Sequence, residues 1–311
     1  MPSPRRLPDG ERLFIGDGGL ETTLIFQEGL ELPCFASYPL LRDDAGTEAL
    51  RRYYLGFLEI AHRERVGFTF DTPTWRANAD WGERLGDSAA ELAEVNREAI
   101  AFAQEIRATE ESAETPIAVC GAIGPQSDAY DPQELMSAAA AERYHSAQVE
   151  TFAGAGADMV GAYTLCYADE AIGIVRAAAA TGIPVMVSFT LETDGRLPSG
   201  QDLGEAIELV DAETDGAAAY FMVNCAHPTH FADVIERDEP WLRRLGGIRA
   251  NASRMSHAEL DDATELDAGD PDELGSEYRS LKPHLPNARV LGGCCGTDHR
   301  HVASVCRDWL G

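Results

Sequence analysis

A chain of 311 residues with 53 acidic against 25 basic side chains carries a formal net charge of −28, and Lys282 is its only lysine. So acidic a surface repels a polyanion, and no basic stripe with interleaved aromatics offsets the field, so no nucleic-acid partner is expected. The longest apolar runs are strand-sized and Arg5 and Arg6 have no apolar segment behind them, so neither signal peptide nor membrane helix is expected, and the expected location is cytoplasmic.

Short apolar runs ending in turn residues recur in chain order at 13–15, 66–70, 117–120, 159–163, 184–189, 219–223, 247–250 and 288–291. Helical patterns fill the intervals at 48–63, 89–107, 132–152, 168–180, 203–210 and 298–309, several with acidic or capping starts. Strands alternating with helices imply right-handed βαβ units and a parallel sheet; eight of them, with no linker or repeat between, predict an α/β fold, a single (β/α)8 TIM barrel over 1–311. The acid-rich stretch 252–273 reads as an excursion between the seventh and eighth strands.

The most chemically loaded segment is Gly292-Gly293-Cys294-Cys295-Gly296-Thr297. Adjacent cysteines rarely bond to each other, because the peptide between them resists so small a ring. Zinc is the expected partner, with Cys225 as the best third ligand because it too follows an apolar run. Three thiolates leave one coordination position open, the mark of a catalytic metal. Seven cysteines, an odd number, fit thiol or metal chemistry better than a disulfide framework. The other four, Cys34, Cys120, Cys166 and Cys306, read as small buried hydrophobes. Barrel enzymes carry their chemistry on the loops after the strands, which puts Cys225 and Cys294-Cys295 on one rim although 69 positions separate Cys225 from Cys294. Asp17-Gly18-Gly19 leaves the first strand at that rim, where glycines bring backbone close to a small ligand and Asp17 can face an ammonium group or orient a neighbour; a tight turn capping the next helix is the plainer alternative.

These residues resemble the homocysteine S-methyltransferase family of zinc-dependent thiol methyltransferases over nearly the whole chain. The resemblance runs through Asp17-Gly18-Gly19-Leu20-Glu21-Thr22, Thr72-Pro73-Thr74-Trp75, Gly121-Ala122-Ile123-Gly124-Pro125, Val187-Ser188-Phe189-Thr190, Asp194-Gly195-Arg196, Val223-Asn224-Cys225 and the glycine–cysteine segment followed by His301. It implies that Cys225, Cys294 and Cys295 hold zinc and that Asp17, Gly18 and Thr72 line the amino-acid pocket, with Tyr163 and Asn224 taken as further substrate-binding residues. It also implies methyl transfer from S-methylmethionine or S-adenosylmethionine to the thiol of homocysteine, by a monomer or small homo-oligomer whose partners are small molecules. A betaine-type donor is the alternative on that side. One departure stands out. The family carries a Glu-Thr pair after strand four whose glutamate binds the substrate ammonium, and this chain reads Ala162-Tyr163-Thr164. A phenol does not replace a full charge, so either Asp17, Asp71 or Glu170 receives the ammonium or the acceptor is a different thiol. His227 and His230 read as local hydrogen-bonding groups, with ligand or proton carrier as the smaller alternative, and His301 as structural or supporting. A zinc hydrolase and a non-catalytic binding protein are the competing functions; the soft ligand trio counts against the first.

Overall fold

Eight apolar runs become eight parallel strands: β1 Phe14–Ile15, β2 Gly67–Asp71, β3 Ile117–Ile123, β4 Met159–Leu165, β5 Val185–Phe189, β6 Tyr220–Asn224, β7 Leu245–Ala250 and β8 Val290–Gly293. Each overlaps its expected range, and β8 pairs back onto β1 through Phe14 with Val290 and Ile15 with Leu291, closing the barrel. The computed structural model describes residues 6–8, 10–130, 135–237 and 239–311. The strands are buried along almost their whole length, as parallel strands covered on one side by helices and on the other by a filled lumen must be, which is why their sequences run apolar rather than alternating.

The outer ring consists of α1 Asp44–Glu64, α2 Ala89–Glu110, α3 Ala138–Ala155, α4 Ala168–Thr181, α5 Leu203–Glu213, α6 Pro228–Ile235, α7 Pro271–Leu281 and α8 His299–Leu310. Acid-rich composition is put to use at their starts. Asp43, Asp202, Asp270 and Asp298 each accept backbone N–H groups of a first turn, and Ser88 forms a reciprocal capping box with Glu91. The helix expected over 132–152 begins at Ala138 behind the Ser137 cap; positions 132–134 lie outside the described residues. Two helices of this ring were not expected, nor was the short one at Ala79–Leu85 before α2. α6 and α7 both open with proline behind a capping residue, His227 and Asp270. The stretch 252–273 is thus partly ordered as helix, with a short one at His257–Asp261 and the first turn of α7.

Two apolar layers result. Between strands and helices lie side chains such as Tyr54, Phe68, Phe70 and Phe102, with the Tyr54 and Phe70 rings stacked 4.1 Å apart. Inside the barrel, Phe14, Met159, Met186, Met222 and Val290 plug the lumen, with Tyr163 at their upper edge. Above that plug, toward the C-terminal ends of the strands, the inward residues turn polar, and the site begins. Among the described residues no helix is long and apolar enough to cross a membrane.

Candidate active site

Cys225 follows the last residue of β6, while Cys294 and Cys295 follow β8, and closure of the barrel brings them together. Cys225 Sγ lies 2.9 Å from Cys294 Sγ and 3.6 Å from Cys295 Sγ. These three form the only metal-capable cluster of three or more such side chains among the described residues. A zinc–thiolate shell at about 2.3 Å sets its sulfurs roughly 3.8 Å apart, close enough that the trio fits a soft divalent ion with slight spreading. The sulfurs are also organised electronically. Its hydrogen bonds with Cys225 and Cys295 hold the Cys294 thiol well below its ordinary pKa, and the bonds with Cys294 push the thiols of Cys225 and Cys295 up. With a metal bound, all three sulfurs must carry charge. Loading the metal-free protein at neutral pH is expected to release protons, read with an indicator dye in weak buffer. Release of none would mean the sulfurs are not the ligands.

Cys225 is held at φ 57°, a left-handed conformation costly for a residue with a Cβ, and its surroundings enforce it. Its N–H bonds the Arg249 carbonyl, and its own carbonyl accepts from Thr190 Oγ1 at 3.3 Å, Asn251 Nδ2 at 3.1 Å and His257 Nε2 at 2.6 Å. Asn224, one residue earlier, accepts from Thr164 N and Ser188 Oγ at 2.9 and 2.6 Å, donates to Thr164 Oγ1, and aims its amide nitrogen at Cys294 Sγ 3.9 Å away. This ties the β6 cysteine to a bulge at the end of β4, where Thr164 also has positive φ. Asn224→Ala is expected to weaken metal binding by about 10–100-fold, measured by competition with a chelator, because it frees the support behind two ligands.

The glycines of the β1 loop serve this cluster rather than a ligand alone. A Cβ on Gly19 would meet the Cys294 carbonyl at 2.6 Å and one on Gly18 the Thr297 carbonyl at 2.7 Å, so both are bare because the cysteine loop lies against them. Gly19 N bonds Thr297 O and Gly293 N bonds Asp17 O, lacing the loops together.

Beneath the sulfurs lies a buried charged layer. Arg249, from β7, spans Asp17 and Asp71 with its two terminal nitrogens, and its Nε donates to Gly293 O. Tyr53 Oη donates to Asp17 at 3.0 Å and Tyr163 Oη to Asp71 at 2.7 Å. Burial pushes Asp17 up to about 6 against the pull of Arg249; burial works against the Arg249 charge too, but the two carboxylates outweigh it and hold its pKa above the ordinary range.

Asp17, Gly18, Thr72, Tyr163, Asn224, Cys225, Cys294 and Cys295, the residues singled out from sequence, all line one cavity of about 100 Å³ at the top of the barrel. Tyr163 faces it with its hydroxyl committed to Asp71. Glu170 does not reach it: the carboxylate is buried against His145 and the Gln126 N–H, which removes it as an ammonium acceptor. His227 caps α6 and meets Glu277, and His230 bonds the Arg254 carbonyl, so neither lines the cavity. Burial also lowers His227 to about 4, leaving it neutral at physiological pH. His301 closes the capping box of α8 and bonds Ala268 O, a structural role. Cys34 departs from expectation: it is exposed, whereas Cys120, Cys166 and Cys306 are buried. Sequence reasoning assigned no role to Arg249, Glu21 or Tyr130, all on the cavity wall. Tyr130 Oη sits 2.9 Å from Cys225 Sγ, with its ring stacked 4.0 Å from His257.

A second cavity of about 400 Å³ adjoins the first across Trp75, Tyr130 and Cys295, and is walled by the excursion between β7 and β8.

Comparison with known proteins bears on the whole barrel. No curated protein matches the chain in sequence at a significant level. The homocysteine methyltransferase MmuM from Escherichia coli has the same fold. Its oxidized form superimposes with a TM-score of 0.76 at 20% identity, covering 96% of this chain and 99% of that one. The metallated form gives 0.74 at 19%, covering 96% and 97%, and the apo form 0.70 at 19%, covering 98% of each. The family profile described as homocysteine S-methyltransferase matches residues 14–308. With that match spanning almost the entire barrel, the chain belongs to the homocysteine S-methyltransferase family of methyltransferases.

Proposed function

We propose that this protein moves a methyl group from a sulfonium donor, S-methylmethionine or S-adenosylmethionine, to the thiol of homocysteine, giving methionine, with zinc held by Cys225, Cys294 and Cys295. The observation that carries the reading is the convergence of three sulfurs from two distant loops on the wall of a small cavity that carboxylates and closely approaching glycines also line. Zinc at this cluster would supply an ionised acceptor sulfur at neutral pH, where a free thiol of pKa about 8.5 is mostly protonated.

The chain's own residues do the rest. Asn224 and the three donors on the Cys225 carbonyl fix the ligand loop, so that the acceptor is oriented rather than merely concentrated. In the displacement the acceptor sulfur's lone pair forms the new S–CH3 bond. The old C–S pair stays on the donor, which leaves as a neutral thioether, and the acceptor's proton passes to solvent. The inner cavity suits the small acceptor. The outer one has four times the volume and presents Trp75, Tyr130, Asp261 and Glu265, aromatic faces and carboxylates of the kind that receive an onium cation.

Zinc content measured beside methyl transfer, with homocysteine and other small thiols against S-methylmethionine, S-adenosylmethionine and betaine, tests this directly. About one zinc per chain with methionine formed is the expected result. Turnover of another thiol but not homocysteine would make the locked Tyr163 the mark of a changed acceptor, and a chain that binds no zinc would overturn the mechanism.

A further inference from the structure

Resting on that reading, we infer that Glu21 is the residue that binds the amino group of the acceptor thiol. Three carboxylates line the inner cavity: Asp17, Glu21 and Asp71. Two are already committed. Asp17 and Asp71 both pair with Arg249, and each accepts a tyrosine hydroxyl besides, so their charge holds the layer together. Glu21 is held by the Ser37 hydroxyl at 2.8 Å, a neutral donor that also has the Pro73 carbonyl within 3.3 Å as a second acceptor. No arginine, lysine or histidine pairs with it among the described ion pairs. A carboxylate in this position is costly to the free protein, and burial, with the nearby Cys294 and Asp17 charges adding to it and Ser37 opposing, pushes its pKa up to about 7. A cation arriving with the ligand relieves that cost. The place is right as well: Glu21 stands in the turn Leu20–Thr22 directly after Asp17-Gly18-Gly19, the loop laced to Cys294, so one small molecule can meet the sulfur cluster and this carboxylate together. Across the cavity, at the end of β4, Tyr163 offers only a neutral hydroxyl, which donates to Asp71 and has the Arg249 guanidinium beside it, so it brings no negative charge to an ammonium.

The test crosses substrate with variant. Homocysteine and 4-sulfanylbutanoate, the same thiol acid without the amine, are compared as acceptors in the parent and in Glu21→Gln. The parent is expected to lose about 10–100-fold in kcat/KM when the amine is removed, the range of a charge-assisted hydrogen bond. Glu21→Gln should lose a similar factor with homocysteine, keep its activity with 4-sulfanylbutanoate, and discriminate between the two by less than about 3-fold. Zinc content and the KM for the donor should not move, which separates this role from a structural one. Should Glu21→Gln fail to fold, Glu21→Asp carries the test, with charge kept but reach shortened and an intermediate ratio expected. Discrimination retained in the variant, or a raised donor KM in its place, would overturn the Glu21 assignment while leaving the family reaction standing. A parent that methylates no amino thiol would overturn both.

Discussion

Cys225→Ala is expected to lower methyl transfer by more than about 1,000-fold, roughly 4 kcal/mol of transition-state stabilisation, and to reduce zinc to well below one per chain. The size follows from what one sulfur does here. Cys225 touches both of its partners, at 2.9 and 3.6 Å, and its backbone is held in a left-handed conformation by four hydrogen bonds that have no other evident purpose than to aim it. Loss of Cys294 or Cys295 should be as severe, and the three losses should not add, because any two thiolates left behind no longer make the site. The decisive pairing is zinc analysis by emission spectroscopy with initial rates on the same sample. A variant that keeps its metal and its rate would remove Cys225 from the mechanism; one that keeps the fold but loses metal and rate together supports it. Circular dichroism should change little, since the barrel closes through β1 and β8 whether or not the sulfurs are bridged.

Much of this could be read from the chain because the barrel rewards simple signals. Parallel strands buried on both faces are nearly pure apolar runs, and all eight were visible as such; the glycine-flanked cysteines announced the metal cluster for the same local reason. The helices α6 and α7 were missed where local acidity or brevity hid them, although His227-Pro228 and Asp270-Pro271 are cap-plus-proline starts that would have found both. The charged layer was missed for a different reason. A single arginine within Gly247-Ile248-Arg249-Ala250 is out of place in a buried strand and must be paired, but its partners, Asp17 and Asp71, lie 232 and 178 positions away and only barrel closure shows them. The role of Tyr163 was undecidable for the same reason, since its hydroxyl's partner is 92 positions off.

Arg249→Met should destabilise the protein by about 3–5 kcal/mol, because it keeps much of the side-chain bulk and strands two buried carboxylates. The energetics distinguish this from an ordinary packing loss. With the guanidinium gone, the two buried carboxylates lose the cation that pairs with both, so the folded pKa of Asp17, which burial already holds above its unfolded value near 3.8, rises further. A carboxyl whose folded pKa is raised binds more protons folded than unfolded, so stability falls as pH climbs through the interval between the two values. The deficit measured by urea unfolding should therefore be larger at pH 8 than at pH 5, and a cavity or strain effect would show no such slope. Neutralising the partners gives a second check. Asp17→Asn and Asp71→Asn added to Arg249→Met should return most of the lost stability, since an ion cluster replaced as a whole costs far less than one left half-paired, yet activity should not return, because Asp17 and Asp71 set the charge beneath the sulfurs. A pH-independent loss under about 1 kcal/mol in the single variant would mean that the layer is solvated in solution and that Arg249 is no keystone of the site.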